Sequence, residues 1–431
     1  MKKVLVITYY WPPSGGAGVQ RWLKFVKYLR SFGWEPIVFT AEGGEVPVVD
    51  HSLKKDVPDN LEVIYQKIWE PYGFYKKLIG QKKEDKIQTG FLSENEKPKK
   101  LENLSVWIRG NFFIPDARKF WIRPSVKILS KYLKENKVDA IASNGPPHTT
   151  HMIGLALKRK FGLPWLADFR DPWTNIDFYD KLRLTDWADK KHHRLEAEVI
   201  KNADKLVTVS PSWAQDFKKI ADVDFEVIYN GFDSDDFEIE SIQMDTSFTI
   251  AHIGSMNADR NPESLWKALG ELCLKDEGFK KSLEIKLIGS TDVTVKNSIS
   301  ENGLMENVNK MNYMPHAEVV KQLASSQVLL LPINDTPNSM GVIPGKLFEY
   351  LASKRPILVI GPLDGDSCKL IRDNKAGYAF DFSDQDGIKG RVQQMYVDFQ
   401  GGSLEVTGNE LDKFTRKNLT KELADLLNEI A

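Results

Sequence analysis

Cysteine is scarce in this chain: Cys273 and Cys368 are the two in 431 residues. That excludes a disulfide scaffold and a cysteine-built zinc site, and it fits a reducing compartment. Net charge is almost absent as well, with 59 Lys and Arg against 60 Asp and Glu for a formal charge of -1. A balance of that kind argues against nucleic acid as a partner. No uncharged apolar stretch approaches the ~20 residues of a membrane helix. The opening run is short and meets Trp11-Pro12-Pro13, so it reads as a buried strand rather than a signal peptide. Three motifs are missing too. Without G-x-G-x-x-G or a Walker A loop, NAD and ATP readings weaken, and without G-x-S-x-G a hydrolase triad has no nucleophile. His192-His193 lacks the spacing of a metal site and reads as solvated.

What is present is an alternation of short apolar strands and amphipathic helices, the pattern of a doubly wound parallel α/β sheet. Expected strands are 4–8, 36–40, 138–143, 165–169, 205–210 and 225–229, with a first helix over 19–32 closed by Gly33. The pattern restarts with strands 248–254, 283–289, 328–332, 356–361 and 378–382. Two Rossmann-like domains are expected, 1–233 and 234–408. Residues 409–431 form a helix, with Phe414, Leu419, Leu423, Leu426 and Ile430 on one side, that packs back on the first domain. One segment departs from the alternation. Residues 65–127 hold 14 Lys and Arg against 7 Asp and Glu, with 11 aromatics, so the balanced total conceals a basic aromatic insertion.

Five segments could carry chemistry. The loop through Gly15 and Gly16 lies between a strand and a helix, where backbone N–H groups and the helix start favour a diphosphate. A second loop follows the first strand of the second domain and carries Ser255 and Arg260, whose guanidinium suits phosphate oxygens. A third, Pro344-Gly345-Lys346-Leu347, opens a helix that places Glu349 one turn in, where a carboxylate can accept two ribose hydroxyls. The last two lie at strand ends: His148 and His151 after one strand, and Asp168, Arg170 and Asp171 after the next. Ligands of open α/β sheets bind beyond such ends. A core histidine and a structural salt-bridge knot are the competing readings there.

Taken in order, the Pro-Pro-x-Gly-Gly loop with Arg21, the Arg170-Asp171-Pro172-Trp173 segment, the Asn230-Gly231 linker, the Gly254 loop and the Lys346-Leu347-Phe348-Glu349-Tyr350-Leu351 helix resemble a GT-B glycosyltransferase of the retaining family 4 type. The resemblance implies a nucleotide-sugar donor, with uridine the default base, held in the interdomain cleft mainly by the second domain. Glu349 matches the ribose-binding glutamate of the family's E-x7-E motif, Arg260 the second basic residue of its phosphate pair, and Gly15 and Gly16 its diphosphate loop. The first glutamate of E-x7-E falls on Gly341 and the first basic residue on Ser255. The resemblance further implies attack from the leaving-group face with the departing phosphate taking the acceptor proton, no metal and no other cofactor. His148, Asp168, Arg170 and Asp171 are then the expected catalytic group. The acceptor is a glycan or polyprenyl-linked glycan of surface polysaccharide synthesis. The expected location is the cytoplasm, peripheral at the inner face of its membrane through 65–127. A GT-B sugar-nucleotide epimerase and a non-catalytic nucleotide-sugar-binding protein are the alternatives.

Overall fold

The computed structural model describes residues 1–46, 48–70, 100–237, 242–406 and 411–431. They form two compact units. The first holds residues up to 70, residues 100–230 and Arg416–Ala431; the second is Gly231–Thr415. Much of the basic aromatic insertion, with Tyr72, Phe74 and Tyr75, lies outside the described residues.

The first unit is built on seven parallel strands: β1 Lys2–Ile7, β2 Trp34–Glu42, β3 Glu62–Lys67, β4 Ala140–Gly145, β5 Trp165–Phe169, β6 Lys205–Thr208 and β7 Glu226–Val227. Their spatial order is β3-β2-β1-β4-β5-β6-β7, with Val4 of β1 paired to Pro36 on one side and Ala140 on the other. β4 and β5 are buried at every position, which is why their sequences read as continuous runs rather than as alternation. Helix α1, Ala17–Leu29, turns Val19, Trp22, Leu23, Val26 and Leu29 onto the sheet. A tight turn at Arg30–Phe32 ends it at Gly33, whose φ of 83° suits a residue without Cβ. Three further helices matter here: α2 Ile122–Glu135, α3 Thr149–Phe161 and α4 Asp186–Asn202. The C-terminal helix, Arg416–Ile430, returns to this unit and packs Leu419, Leu423 and Leu427 into the α1 core. Each such fully buried leucine contributes roughly 1.5–3 kcal/mol.

The second unit has six parallel strands: β8 Phe248–Ile253, β9 Leu283–Ile288, β10 Val308–Met311, β11 Val328–Pro332, β12 Ile357–Ile360 and β13 Gly377–Phe380, in the order β10-β9-β8-β11-β12-β13. The helices used below are α5 His316–Ser325 and α6 Lys346–Ala352. Cys273 and Cys368 are buried free thiols in helices of this unit.

Two strands escape the sequence reading, β3 and β10. Both are edge strands and half exposed, so neither shows the apolar run or clean alternation that marks the central ones. The crossing between units also has a local cause. Arg21 Nη1 donates to the Ile228 and Tyr229 carbonyls at 2.9 Å, holding the chain to the first unit up to there. Phe232 N then donates to the Phe414 carbonyl at 3.0 Å, inside the second. Phe414 accordingly sits 5.4 Å from the Phe348 ring in the second unit rather than on the terminal helix, which begins at Arg416.

Candidate functional site

The second unit's sheet reverses its strand order between β8 and β11, and chains leaving those two strands open a crevice at their carboxyl ends. Gly254 follows β8 with φ 108°. That conformation favours glycine, and a Cβ there would stand 3.0 Å from Lys346 Nζ, the flexible end of its side chain. Arg260 spans the crevice. Its Nε donates to Asn334 Oδ1 at 2.8 Å, just past β11, and its Nη1 donates to the Ser255 carbonyl at 3.0 Å. Lys346 opens α6 and places Nζ 3.3 Å from His252 Nε2. Burial, with the Arg260 charge adding to it, holds the Lys346 ammonium well below the usual lysine range, and Glu349 offsets this in part. His252 is buried and its imidazole is likewise kept neutral by burial, then by Lys346 and Arg260. Among the described residues no carboxylate lies within ion-pair distance of Lys346 Nζ. The Arg260 guanidinium and the Lys346 amine thus meet at a strand end, an arrangement that an anion would complement.

Glu349 stands one turn into α6, 26% exposed at its side chain, and its Oε1 is 3.0 Å from His316 Nε2 on α5. Tyr350 is wholly buried and its hydroxyl accepts from the Ile253 N–H at 3.1 Å, which fastens α6 to the end of β8. Pro344 and Gly345 are half exposed at the head of the helix. Leu347 differs from expectation. Its side chain is fully buried and its N–H is taken by the Pro344 carbonyl at 2.9 Å, so it belongs to the core rather than to a ligand surface. Ser255 is exposed, and its carbonyl is engaged by Arg260.

In the first unit the order reverses between β1 and β4, and the predicted residues gather there with different fates. Gly16 caps α1 with φ 88° and is open to solvent. Gly15 is buried: its N–H donates to the Val48 carbonyl at 2.8 Å and a Cβ would meet Asp50 at 2.9 Å. Its small size serves packing, a correction to its reading as a ligand contact. Arg170 lies beneath the first turn of α1, with Nη1 beside Gly18 and buried without a hydrogen-bond partner, while Nη2 pairs with Asp171. The structure therefore brings Arg170, Asp171 and the Gly16 turn together. Asp168 is not available to a substrate. It is fully buried, it takes Arg21 Nε and Nη2 at 2.8 and 3.0 Å, and it accepts from Trp22 Nε1 at 2.7 Å. The salt-bridge knot is the correct reading of that residue, with α1 as its other half.

His148 caps α3 and stacks on Trp173, centroids 4.6 Å apart and planes 4° from parallel. It is 7% exposed, its Nδ1 has no partner, and burial holds its pKa well below the usual value, with His151, His192 and Arg170 adding to the effect. His151 is core: its Nδ1 is 2.8 Å from Ser143 Oγ and burial lowers its pKa to about 3. His192 is also buried and accepts from Trp173 Nε1 at 2.9 Å, so it is not the solvated residue expected from its charged helix. Its neighbour His193 is exposed. Among the described residues no group of three or more His, Cys, Asp or Glu could hold a metal ion.

Sequence reasoning missed His252, His316 and Asn334. His252 had a signal, a polar residue inside an otherwise apolar strand, and Asn334 had its place just beyond β11. His316 had none.

Residues 90–236 match the model of Glycosyltransferase Family 4, and residues 234–399 match that of Glycosyl transferases group 1. No curated protein matches the sequence. Sucrose-phosphate synthase from Thermosynechococcus elongatus superposes with a TM-score of 0.62 at 13% identity, covering 100% of this chain and 99% of that one. Anabaena HepE in complex with UDP-glucose gives 0.61 at 12%, with 100% of both chains covered. An S. aureus TarM mutant in complex with Fondaparinux, alpha-GlcNAc-glycerol and UDP gives 0.59 at 14%, covering 99% and 100%. These likenesses show the fold. With two Rossmann-like sheets and a family model on each half, the chain is a GT-B glycosyltransferase of the family 4, group 1 kind.

Proposed function

We propose that this enzyme moves a sugar, with retention and without a metal, from a uridine-linked nucleotide-sugar to a glycan or polyprenyl-linked acceptor in surface polysaccharide synthesis. The observation that carries the reading is the pair of basic side chains, Arg260 and Lys346, set at the β8/β11 crevice with Glu349 one turn beyond. A nucleoside diphosphate has matching chemistry: anionic oxygens for the basic side chains and ribose hydroxyls for the carboxylate. As the glycosidic bond breaks, negative charge grows on the departing diphosphate, and donors fixed in advance stabilise it. The sugar passes through an oxocarbenium-like state. Of the proposed first-unit residues, we assign Arg170, Asp171, His148 and the Gly16 turn to the acceptor, with Asp168 positioning α1 through Arg21 and Trp22. The HepE structure holds UDP-glucose and the TarM structure UDP, which favours uridine here.

We place the enzyme at the inner face of the cytoplasmic membrane. The support is a groove of about 450 Å³ lined by Arg123, Lys127, Lys131, Lys134 and Lys160, all exposed. No helix of the described residues is long and apolar enough to cross a membrane.

The deciding experiment is a thermal-shift screen with UDP-, GDP- and dTDP-sugars. A donor at a hundredfold over its Kd adds about 2.7 kcal/mol of stability, a shift of several degrees. One nucleotide class should raise the melting temperature; if none does, the donor reading fails.

A further inference from the structure

β8 is buried along its length, yet it carries His252, which is 1% exposed. The ring is fixed from both sides. Nδ1 lies 3.1 Å from the Leu330 carbonyl on β11. A carbonyl only accepts, so Nδ1 bears the proton and donates. Nε2 therefore offers a lone pair, and Lys346 Nζ stands 3.3 Å from it as the donor. The other groups facing this pair are the Ser255 carbonyl, which Arg260 Nη1 occupies, the Arg260 guanidinium itself, and Glu349. Glu349 is engaged by His316, with Asp236 3.9 Å behind. The corner thus offers one permanent cation, Arg260, and one nitrogen that can take or release a proton. A second positive charge beside Arg260 is opposed until an anion enters.

We propose that His252 holds Lys346 as a proton-accepting site, so that binding of a nucleoside diphosphate takes up one proton at Lys346 Nζ. The inference rests on the donor reading above and deepens it. In the free enzyme the Nζ lone pair is available. On binding it forms an N–H bond with a proton from solvent, and the diphosphate supplies the opposite charge. His252 stays neutral throughout and no bond of the ligand changes. Release of the nucleotide returns the proton. His252 is a positioning residue: it aims the Lys346 amine and accepts one of its hydrogens.

The test is titration calorimetry of UDP, with GDP and dTDP in parallel, at about pH 7.5 and about pH 8.5 in buffers of different ionisation enthalpy. The wild type should take up protons, more at the higher pH, and its affinity should fall as pH rises. Lys346→Gln should bind more weakly with that uptake gone. His252→Gln keeps an oxygen for Lys346 and an N–H for Leu330, and should hold affinity within about threefold. His252→Leu should lose about tenfold or more and move the affinity fall to lower pH. The wild-type proton count stands whether or not His252→Leu folds. Binding without proton uptake overturns the inference and leaves the donor reading intact, and so does a folded His252→Leu with the wild-type pH profile. A wild type that binds none of the three nucleotides overturns both.

Discussion

Glu349 and Asp168 are both carboxylates near strand ends, and burial separates their roles. Asp168 is enclosed with both oxygens engaged by Arg21 and Trp22, so its charge is fully used inside the first unit. Glu349 keeps 26% of its side chain exposed, with His316 the partner that orients it. A ribose that meets Glu349 through charge-assisted hydrogen bonds gains about 2 kcal/mol from it. Glu349→Ala should then weaken UDP-sugar binding about thirtyfold with little change in melting temperature, because no core atom is lost. Calorimetric affinity is the measurement, and an unchanged value refutes the ribose role. Sequence pattern reached Glu349, Arg260 and Lys346 because each follows a strand at a helix start. It could not separate Asp168 from them. Its partner Arg21 lies 147 positions away, and only the closed sheet reveals the pair.

Helix α2 carries its charge along one side. Arg123, Lys127 and Lys131 recur every four residues, Lys134 completes the stripe, and Lys160 reaches across from the end of α3 to donate to Ser130 Oγ at 2.9 Å. Ile128 flanks the stripe, 37% exposed. The helix begins next to Trp121, which stacks on Phe39 near the end of β2, so the stripe runs from the ligand edge of the sheet down its side. An anionic leaflet attracts each such residue by about 1 kcal/mol. Replacing Lys127, Lys131 and Lys134 by glutamine should therefore cost about 3 kcal/mol, above a hundredfold, in binding to vesicles with anionic lipid. Flotation measures it, and high salt should mimic the substitution. A wild type that ignores anionic vesicles ends the membrane proposal. The insertion at 65–127 announces such a face by composition. Composition does not say that the basic stripe continues past it to Lys134, which requires the helical period and the neighbour from α3. Part of the insertion's aromatic content has another use: Trp121 is fully buried against Phe39, whereas Trp69 and Phe120 remain exposed.

At the scale of the molecule, both units store histidines whose pKa burial lowers: His148, His151 and His192 in the first, His252 in the second. The central strands were legible because their buried faces need continuous apolar residues. His148, His151 and His252 were not, because a polar residue near a strand end is as compatible with a ligand as with a core. Their shared burial has a consequence for pH. An unfolded histidine takes a proton below about 6.5. Folded His151 does not until about pH 3, and His148 and His252 are shifted the same way. The unfolded state therefore binds more protons in that interval. Stability is complete above pH 6.5 and falls as the pH drops through it, by about 1.4 kcal/mol per pH unit for each histidine. Glu70 and Glu196, whose carboxyls burial raises, act in the opposite sense at lower pH, so the steep region is pH 6.5 down to about 5. With three such histidines, His148, His151 and His192, against one, the first unit should lose stability faster than the second as pH falls. Urea titrations between about pH 7 and 5, followed by tryptophan fluorescence, should show one transition that moves with pH more steeply than the other. His151→Gln should bring the two slopes closer. Transitions that do not move between those pH values would mean that these imidazoles are charged, or reached by water, in the folded enzyme.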